Sequence, residues 1–246
     1  MDYACQTDIG QVRQVNQDRV FCDKNSNNEV LMMVCDGMGG HQAGEQASFL
    51  AISYISEQFK HHYPFLNVNK ASEWINEVVH KANSLIFQDG QTNLEHKGMG
   101  TTLVLALIIE DEAIICHVGD SRCYLFDDTL TQLTQDHTYV NMLVETGSIT
   151  KEQAKNHPRK NVLMKALGVF EDLVLSFQVI SFKKGTLLLC SDGFYNSLED
   201  EQIIDLVSKK ISSQECVRLG IEQANIYGGY DNIALAILKK GDDVNE

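Results

Sequence analysis

Glu29 to Gly40 read Glu-Val-Leu-Met-Met-Val-Cys-Asp-Gly-Met-Gly-Gly. Six of the first seven residues are apolar, and a short continuous run of this kind is typical of a strand that is buried on both faces. The run ends at Asp36, and three glycines in the next four positions let the backbone approach a ligand or ion closely. We therefore predict a buried strand that leads into an acidic, glycine-rich loop at a functional site.

Apolar runs elsewhere in the chain predict further strands, and other segments have helical periodicity. Strands are predicted over residues 19–22, 101–109, 113–118, 124–126, 173–182, 186–190 and 233–238. Helices are predicted over residues 44–62, 71–87, 201–209 and 213–225. Because strands and helices occur in groups and do not alternate singly, their order favours an α+β fold with antiparallel sheets over a parallel βαβ fold.

The length of 246 residues suits one domain. We predict a single domain over residues 1–240 and a short tail over residues 241–246. The chain has only two prolines, which argues against a long disordered linker. Residues 137–167 are polar with isolated apolar positions, and they form either a semi-mobile flap over a site or a surface excursion.

Acidic residues outnumber basic ones by 34 to 20, and the formal net charge is −14. Nucleic-acid binding needs a basic surface, so we expect no nucleic-acid partner. An acidic chain also repels phosphorylated substrates unless bound divalent cations reverse the charge locally. The seven cysteines form no Cys-x-x-Cys pair, so we expect reduced thiols in a cytoplasmic protein. We expect neither a signal peptide nor membrane insertion.

An aspartate recurs at the ends of the predicted apolar strands. These aspartates are Asp18, Asp36, Asp120, Asp192 and Asp231. Each of these aspartates, taken alone, is typical of an ordinary turn, since Asp-Gly is a common turn dipeptide. Gathered together, they would repel one another, and the group would be stable only if it were protonated or if cations lay within it. Ligands that are all oxygen atoms favour Mg²⁺ or Mn²⁺ over zinc.

Six motifs, ordered along nearly the whole chain, carry a resemblance to a known family. They are Thr7-Asp8-Ile9-Gly10-Gln11-Val12-Arg13 with Asn16-Gln17-Asp18, Asp36-Gly37-Met38-Gly39-Gly40-His41, Gly98-Met99-Gly100-Thr101-Thr102, Val118-Gly119-Asp120-Ser121-Arg122, Ser191-Asp192-Gly193 and Gly228-Gly229-Tyr230-Asp231-Asn232. The chain resembles the PPM family of protein phosphatase 2C-like enzymes, most closely its free-standing bacterial members. Each motif alone is weak, and the ordered set is highly specific.

The resemblance implies a central β-sandwich of two antiparallel sheets flanked by helical layers, with a flap near residues 137–167. It also implies a centre of two metal ions, Mn²⁺ or Mg²⁺. Asp36 would bridge both ions and the Gly37 carbonyl would bind one of them. Asp192 and Asp231 would bind the other ion.

The resemblance assigns further roles around that centre. Asp18 would support it directly or through a water, and Asp120 would help Asp192 to hold a third, looser ion. Arg13 would bind the substrate phosphate. Without the matching motif, Arg13 would be interpreted as an ordinary surface cation.

The general acid is left open. Some family members have a histidine, the suggested general acid, in place of Met38, which cannot donate a proton. His41 is the nearest candidate, although it could be structural, and a metal-bound water is the alternative. Gln17 stands where some relatives have glutamate, which leaves Asp18 as the acid there.

The implied function is serine/threonine protein phosphatase, with direct attack of a metal-bridging water on phosphoserine or phosphothreonine. Phosphorylated proteins would be its substrates, among them a bacterial Ser/Thr kinase that it opposes, and the chain would be a monomer.

Three alternatives remain. The first is a pseudophosphatase that only binds phosphoproteins. The second is a thiol phosphatase, because Cys116 and Arg122 have Cys-x₅-Arg spacing, although Asp120 would place negative charge in such a phosphate loop. The third is a phosphatase specialised for anti-sigma-factor antagonists.

Overall fold

The computed structural model describes residues 1–40 and 43–241. Two sheets form the centre of the described chain, and all of their strand pairs are antiparallel. In spatial order, the first sheet holds β1 (Asp2–Asp8), β11 (Ile233–Lys240), β10 (Gly185–Cys190), β7 (Arg122–Asp127) and β8 (Thr129–Gln132). The second sheet holds β2 (Asp18–Lys24), β3 (Val30–Met38), β5 (Leu103–Ile109), β6 (Glu112–Val118) and β9 (Ser176–Ser181), and β4 (Gly100–Thr101) pairs with β3.

Helices cover the outer faces of both sheets. On the second sheet lie α1 (Ala43–Lys60) and α2 (Val68–Thr92), which form one apolar cluster with Leu31 and Met33. On the first sheet lie α6 (Asp200–Val207) and α7 (Ser213–Tyr227), which form another cluster with Leu188 and Ile237. This helix–sheet–sheet–helix arrangement confirms the predicted α+β sandwich, while the division of the chain into one domain stays a prediction.

The alternation of side chains along β3 explains its continuous apolar run. Val30, Met32 and Val34 face the interior between the two sheets, whereas Leu31 and Met33 face α1 and α2. All five side chains are at most 1% exposed, so both faces of the strand must be apolar. A strand this deeply buried gives a rigid base to the loop that begins at Asp36.

Several elements differ from the prediction at their ends or were missed. The second helix was predicted from residue 71 but begins at Val68, because the Asn67 side chain accepts a hydrogen bond from Lys70 N at 3.0 Å and caps it. Strands β1 and β8 were missed because their residues are mostly half-buried or exposed and their sequences are polar. The predicted strand over residues 173–182 is ordered as β9 only from Ser176 to Ser181.

Residues 137–167, hereafter the flap, contain only two short helices, α3 (Tyr139–Glu145) and α4 (Lys151–Lys155). A β-bridge between Thr138 and Leu163 closes the segment on itself. No helix in the described ranges is long and apolar enough to span a membrane.

Candidate metal centre

The predicted aspartates come from both sheets. Asp18 at the start of β2 pairs in register with Asp36 near the end of β3. Asp192 opens the four-residue helix α5 (Asp192–Tyr195) directly after β10, and Asp231 lies just before β11, the neighbour of β10. Asp120 lies in the turn between β6 and β7. Adjacent strand ends therefore place four of the acids, and a tight turn places the fifth.

Close packing of backbone holds these strand ends together. A Cβ atom at Gly37 would lie 2.1 Å from Gly44 O of α1, and one at Gly193 would lie 2.0 Å from Asn232 O. Both distances are shorter than any real contact, so only glycine fits at either position. Gly193 thus allows the residue next to Asp192 to pack against the backbone beside Asp231.

The pKa values show that the carboxyl groups interact. Burial, and then repulsion from the other four acids, raises the pKa of Asp36 well above its usual range. Burial and repulsion from Asp192 and Asp231 raise the pKa of Asp18 to about 7. Burial and the charge of Asp231 raise the pKa of Asp192 to about 6. The five acids therefore form one cluster in which negative charge is poorly compensated.

Asp120 joins the cluster through Asp192. It is 8% exposed, and burial together with the charge of Asp192 raises its pKa to about 7. Asp192 therefore interacts with Asp36 and Asp231 as well as with Asp120.

The donor atoms of the cluster fit a hard divalent cation. Asp18 is 1% exposed, and its Oδ2 atom has no hydrogen-bond partner among the residues that the structure describes. A buried carboxylate oxygen without a partner is costly unless a cation or water satisfies it. Within the described ranges no group of three or more His, Cys, Asp or Glu side chains is arranged to hold a metal ion as it stands. The fit therefore rests on the all-oxygen donors and on Asp18 Oδ2.

Arg13 lies at the open side of the cluster. Its Nη2 atom donates to Asp231 Oδ2 at 2.6 Å, and its side chain is 50% exposed. Asn232, to which the sequence assigned no role, fixes the loop that carries Arg13. The Asn232 Nδ2 atom donates to Ile9 O and Val15 O at 3.0 Å each, and its Oδ1 atom accepts from Gln17 N at 2.9 Å. The motif Asp231-Asn232 was the only signal for this.

Two threonines that sequence reasoning also missed support Asp36. The Asp36 N atom donates to Thr102 Oγ1 at 2.9 Å, and Thr101 Oγ1 donates to Asp36 O at 2.9 Å. The Thr102 hydroxyl also bonds Ser121 Oγ at 2.7 Å. Thr102 thereby connects Asp36 to the turn that holds Asp120.

The strands on either side of the Asp120 turn, β6 with Cys116 and β7 with Arg122, argue against a thiol phosphatase. Cys116 is fully buried, and burial raises the pKa of its thiol, whereas a catalytic cysteine needs an accessible thiolate. Arg122 is engaged by Asp136 through two hydrogen bonds of 3.0 and 2.7 Å and lies over the Tyr195 ring, with its Cζ 3.6 Å from the centroid. Neither residue is available to attack or hold a phosphate.

His137 ties the start of the flap to the Asp120 turn. Its backbone N donates to Gly119 O at 2.9 Å, and its Nδ1 atom accepts from Gly119 N at 3.1 Å. The ring stacks on His117, with centroids 4.6 Å apart. Burial, with smaller contributions from His117 and Lys165, lowers the pKa of His137 to about 4, so the ring is neutral near pH 7.

The far end of the flap is also attached near Asp36. Leu167 N donates to Thr101 O at 2.8 Å, and Thr101 N donates to Leu167 O at 3.1 Å. Of the two readings of this segment, the structure therefore favours a flap anchored beside the carboxylates. His41, the candidate general acid, lies outside the described residues.

Known proteins share this architecture. A family profile described as protein phosphatase 2C matches residues 6–221. The serine/threonine phosphatase stp of Listeria welshimeri is 39% identical over 236 residues, which cover 95% of this chain and 94% of the relative.

Two solved structures extend the comparison. The serine/threonine phosphatase Stp1 from Staphylococcus aureus has a TM-score of 0.92 at 32% identity and covers 98% of this chain and 96% of its own. The catalytic domain of the phosphatase PstP, in complex with two manganese ions, has a TM-score of 0.84 at 32% identity and covers 98% of each chain. The fold is that of the bacterial 2C-type phosphatases. The chain belongs to the protein phosphatase 2C family.

Proposed function

We propose that this chain is a metal-dependent protein phosphatase that removes phosphate from phosphoserine and phosphothreonine. The observation that carries the proposal is the cluster of five acids around Asp36, whose negative charge only protons or cations can offset. Relatives with the same fold are named serine/threonine phosphatases, which supports the same substrate class here.

The ligand assignment follows the position of each acid in the cluster. Asp36, with the Gly37 carbonyl, would hold the two core ions together with Asp192 and Asp231. Asp18 would support them directly or through a water, and its orphaned Oδ2 atom fits that role. Asp120 and Asp192, which repel each other, would hold a third and weaker ion. Mn²⁺ and Mg²⁺ both suit these oxygen ligands, and the PstP relative was solved with manganese.

When bound, the ions supply a nucleophilic water of lowered pKa and neutralise charge on the phosphate. The chain itself binds and orients the substrate. Arg13 is half exposed and sits 2.6 Å from Asp231, so a phosphate that enters at this point competes with that carboxylate for the guanidinium group. The planar guanidinium suits bidentate contact with two phosphate oxygens. Asn232, which directly precedes β11, holds the loop that carries Arg13 in place while the guanidinium group changes partner.

We further propose that a bacterial Ser/Thr kinase is among the substrates and that the chain works as a monomer in the cytoplasm. Loss of phosphate from an autophosphorylated kinase would support the first point, and sedimentation velocity measures the second.

The direct test compares hydrolysis of a phosphothreonine peptide with Mn²⁺, with Mg²⁺ and after EDTA treatment. We expect turnover with either ion and none with EDTA. Turnover that survives EDTA and is lost in Cys116→Ser would instead favour thiol chemistry. Tight phosphopeptide binding without turnover in either metal would favour a pseudophosphatase.

A further inference from the structure

The flap carries the opposite charge to the rest of the chain. Its five cations are Lys151, Lys155, Arg159, Lys160 and Lys165, and its two acids are Glu145 and Glu152. With histidines neutral, the flap therefore has a formal net charge of +3. Since the whole chain has −14, all remaining residues together carry −17. This is a concentrated reversal of sign within one short segment.

The flap cations make no close contact with a carboxylate in the part of the chain that the structure describes, although Lys151 and Lys155 lower the pKa of the neighbouring Glu152. Within the ranges that the structure describes, none of the five forms an ion pair, and all but the half-buried Lys165 are exposed. Arginines outside the flap differ, because each of them is paired with a carboxylate. These are Arg13, Arg19, Arg122 and Arg218.

Arg159 is held by a ring rather than by an acid. Its Cζ atom lies 5.7 Å from the centroid of Tyr139, and His157 lies against the same ring at 6.0 Å between centroids. Tyr139 is itself fixed, because its N donates to Val162 O at 2.8 Å. The guanidinium group is thus positioned on the flap surface, and no carboxylate of residues 1–40 or 43–241 occupies its donors.

The basic surface begins next to the carboxylate cluster. Lys165 lies close enough to His137 to affect the pKa of that ring, and His137 exchanges two hydrogen bonds with Gly119, the residue before Asp120. The other four cations are Arg159 and Lys160, which follow α4 in sequence, and Lys151 and Lys155, which stand at its two ends. Because His137 attaches one end of the flap to Gly119 and Leu167 attaches the other to Thr101, this basic segment borders the site that a phosphorylated residue would enter.

We propose that the flap cations, Arg159 and Lys160 foremost, bind acidic side chains that flank the phosphorylated residue, so that this enzyme prefers phosphosites in acidic sequence. The proposal rests on the proposed phosphatase activity and specifies its substrate class. An acidic peptide is repelled by the rest of this chain, and complementary charge on the flap offsets that repulsion within a Debye length of about 8 Å. An arginine fork without a partner suits carboxylate recognition.

The test uses two phosphothreonine peptides of equal length, one with glutamates and one with lysines on both sides of the phosphorylated residue. With Mn²⁺ and low salt, we expect kcat/KM to be about 5- to 10-fold higher for the glutamate peptide, mainly through KM. The preference should shrink towards unity in 0.5 M salt, about the range in which exposed charges are screened. The double variant Arg159→Glu/Lys160→Glu should reverse the preference.

A matched control changes two exposed lysines outside the flap, Lys81→Glu and Lys97→Glu, and should leave the preference unchanged. Hydrolysis of p-nitrophenyl phosphate, which has no flanking residues, should be the same in all of these variants. Equal kcat/KM for both peptides, in an enzyme that turns over p-nitrophenyl phosphate, overturns the flap proposal and leaves the phosphatase proposal standing. An enzyme that is inactive on every substrate contradicts both the phosphatase proposal and the flap proposal. An equal loss of preference in the control variant would show a general charge effect and would overturn the assignment to the flap.

Discussion

The carboxylate cluster and the flap lie side by side and are built in opposite ways. The acids stand at the ends of strands such as β3, whose side chains are buried on both faces. The flap has only the short helices α3 and α4, and most of its side chains are exposed. The cluster concentrates negative charge and the flap concentrates positive charge. Chemistry that requires fixed distances is thus placed on rigid strand ends, whereas substrate recognition can use an exposed segment.

The largest expected effect comes from Asp36, which all four other acids influence. Asp36→Asn should lower kcat/KM for a phosphothreonine peptide by about 10³-fold or more, because several kcal/mol of charge stabilisation would be lost. Circular dichroism should show an intact fold. The control is Asp205→Asn on α6, whose carboxylate is 70% exposed, and it should be fully active. If Asp36→Asn retains normal turnover in Mn²⁺, the strand ends are not the catalytic centre.

Arg13 lies at the open side of the carboxylate cluster, where its Nη2 atom donates to Asp231 Oδ2. Arg13→Ala should reduce kcat/KM by about 10- to 100-fold, the range for loss of charge-assisted hydrogen bonds. Because the variant also frees Asp231, Mn²⁺ binding measured by calorimetry should not weaken. Arg13→Lys should restore only part of the activity, since lysine lacks the bidentate fork. A matched loss of Mn²⁺ affinity in Arg13→Ala would instead give Arg13 a role in building the metal centre.

His137 connects the flap to the Asp120 turn, and its replacement should have an intermediate effect. His137→Phe keeps an aromatic ring but loses the acceptor for Gly119 N, so the Mn²⁺ concentration for half-maximal activity should rise by about 10-fold. His137→Asn retains an acceptor near Nδ1 and should recover much of that loss. An unchanged Mn²⁺ dependence in both variants would mean that the flap and the Asp120 turn act independently.

The pH dependence of the free energy of unfolding should reveal the repulsion within the carboxylate cluster. The pKa values of Asp18 and Asp120 are raised to about 7, and that of Asp192 to about 6. At these three carboxyl groups the folded state therefore binds more protons than the unfolded state between pH 4 and 7, which lowers the free energy of unfolding as pH rises. The lowered pKa of His137 opposes this trend with one group below about pH 6.5. In EDTA, the Tm should be lower at pH 8 than at pH 5.5. Added Mn²⁺ should raise the Tm more at pH 8 than at pH 5.5. A Tm in EDTA that rises over this range contradicts the poorly compensated cluster.

Much of the carboxylate cluster could be predicted from local sequence. The apolar run before Asp36 and those before Asp120 and Asp192 marked strand ends, because strands buried on both faces can carry few polar residues. Strand β1 gave no such signal, since it is an edge strand with half-buried side chains and reads Asp-Tyr-Ala-Cys-Gln-Thr-Asp.

Contacts between distant parts of the chain could not be read from the sequence. The register of Asp18 with Asp36, the ion pair of Arg13 with Asp231 and the loop contacts of Asn232 all depend on how strands assemble. The composition of the flap fitted equally well a surface excursion, and only the attachment of His137 and Leu167 beside the acids favours a flap.

Mn²⁺ binding to the wild type, Asp36→Asn and Asp120→Asn, followed by calorimetry or electron paramagnetic resonance, tests the role of the cluster most directly. We predict two tight sites and one weaker site in the wild type. Asp36→Asn should lose the tight pair, and Asp120→Asn should lose only the weaker site. Wild-type Mn²⁺ binding by Asp36→Asn would contradict the assignment of the metal centre to the carboxylates around Asp36.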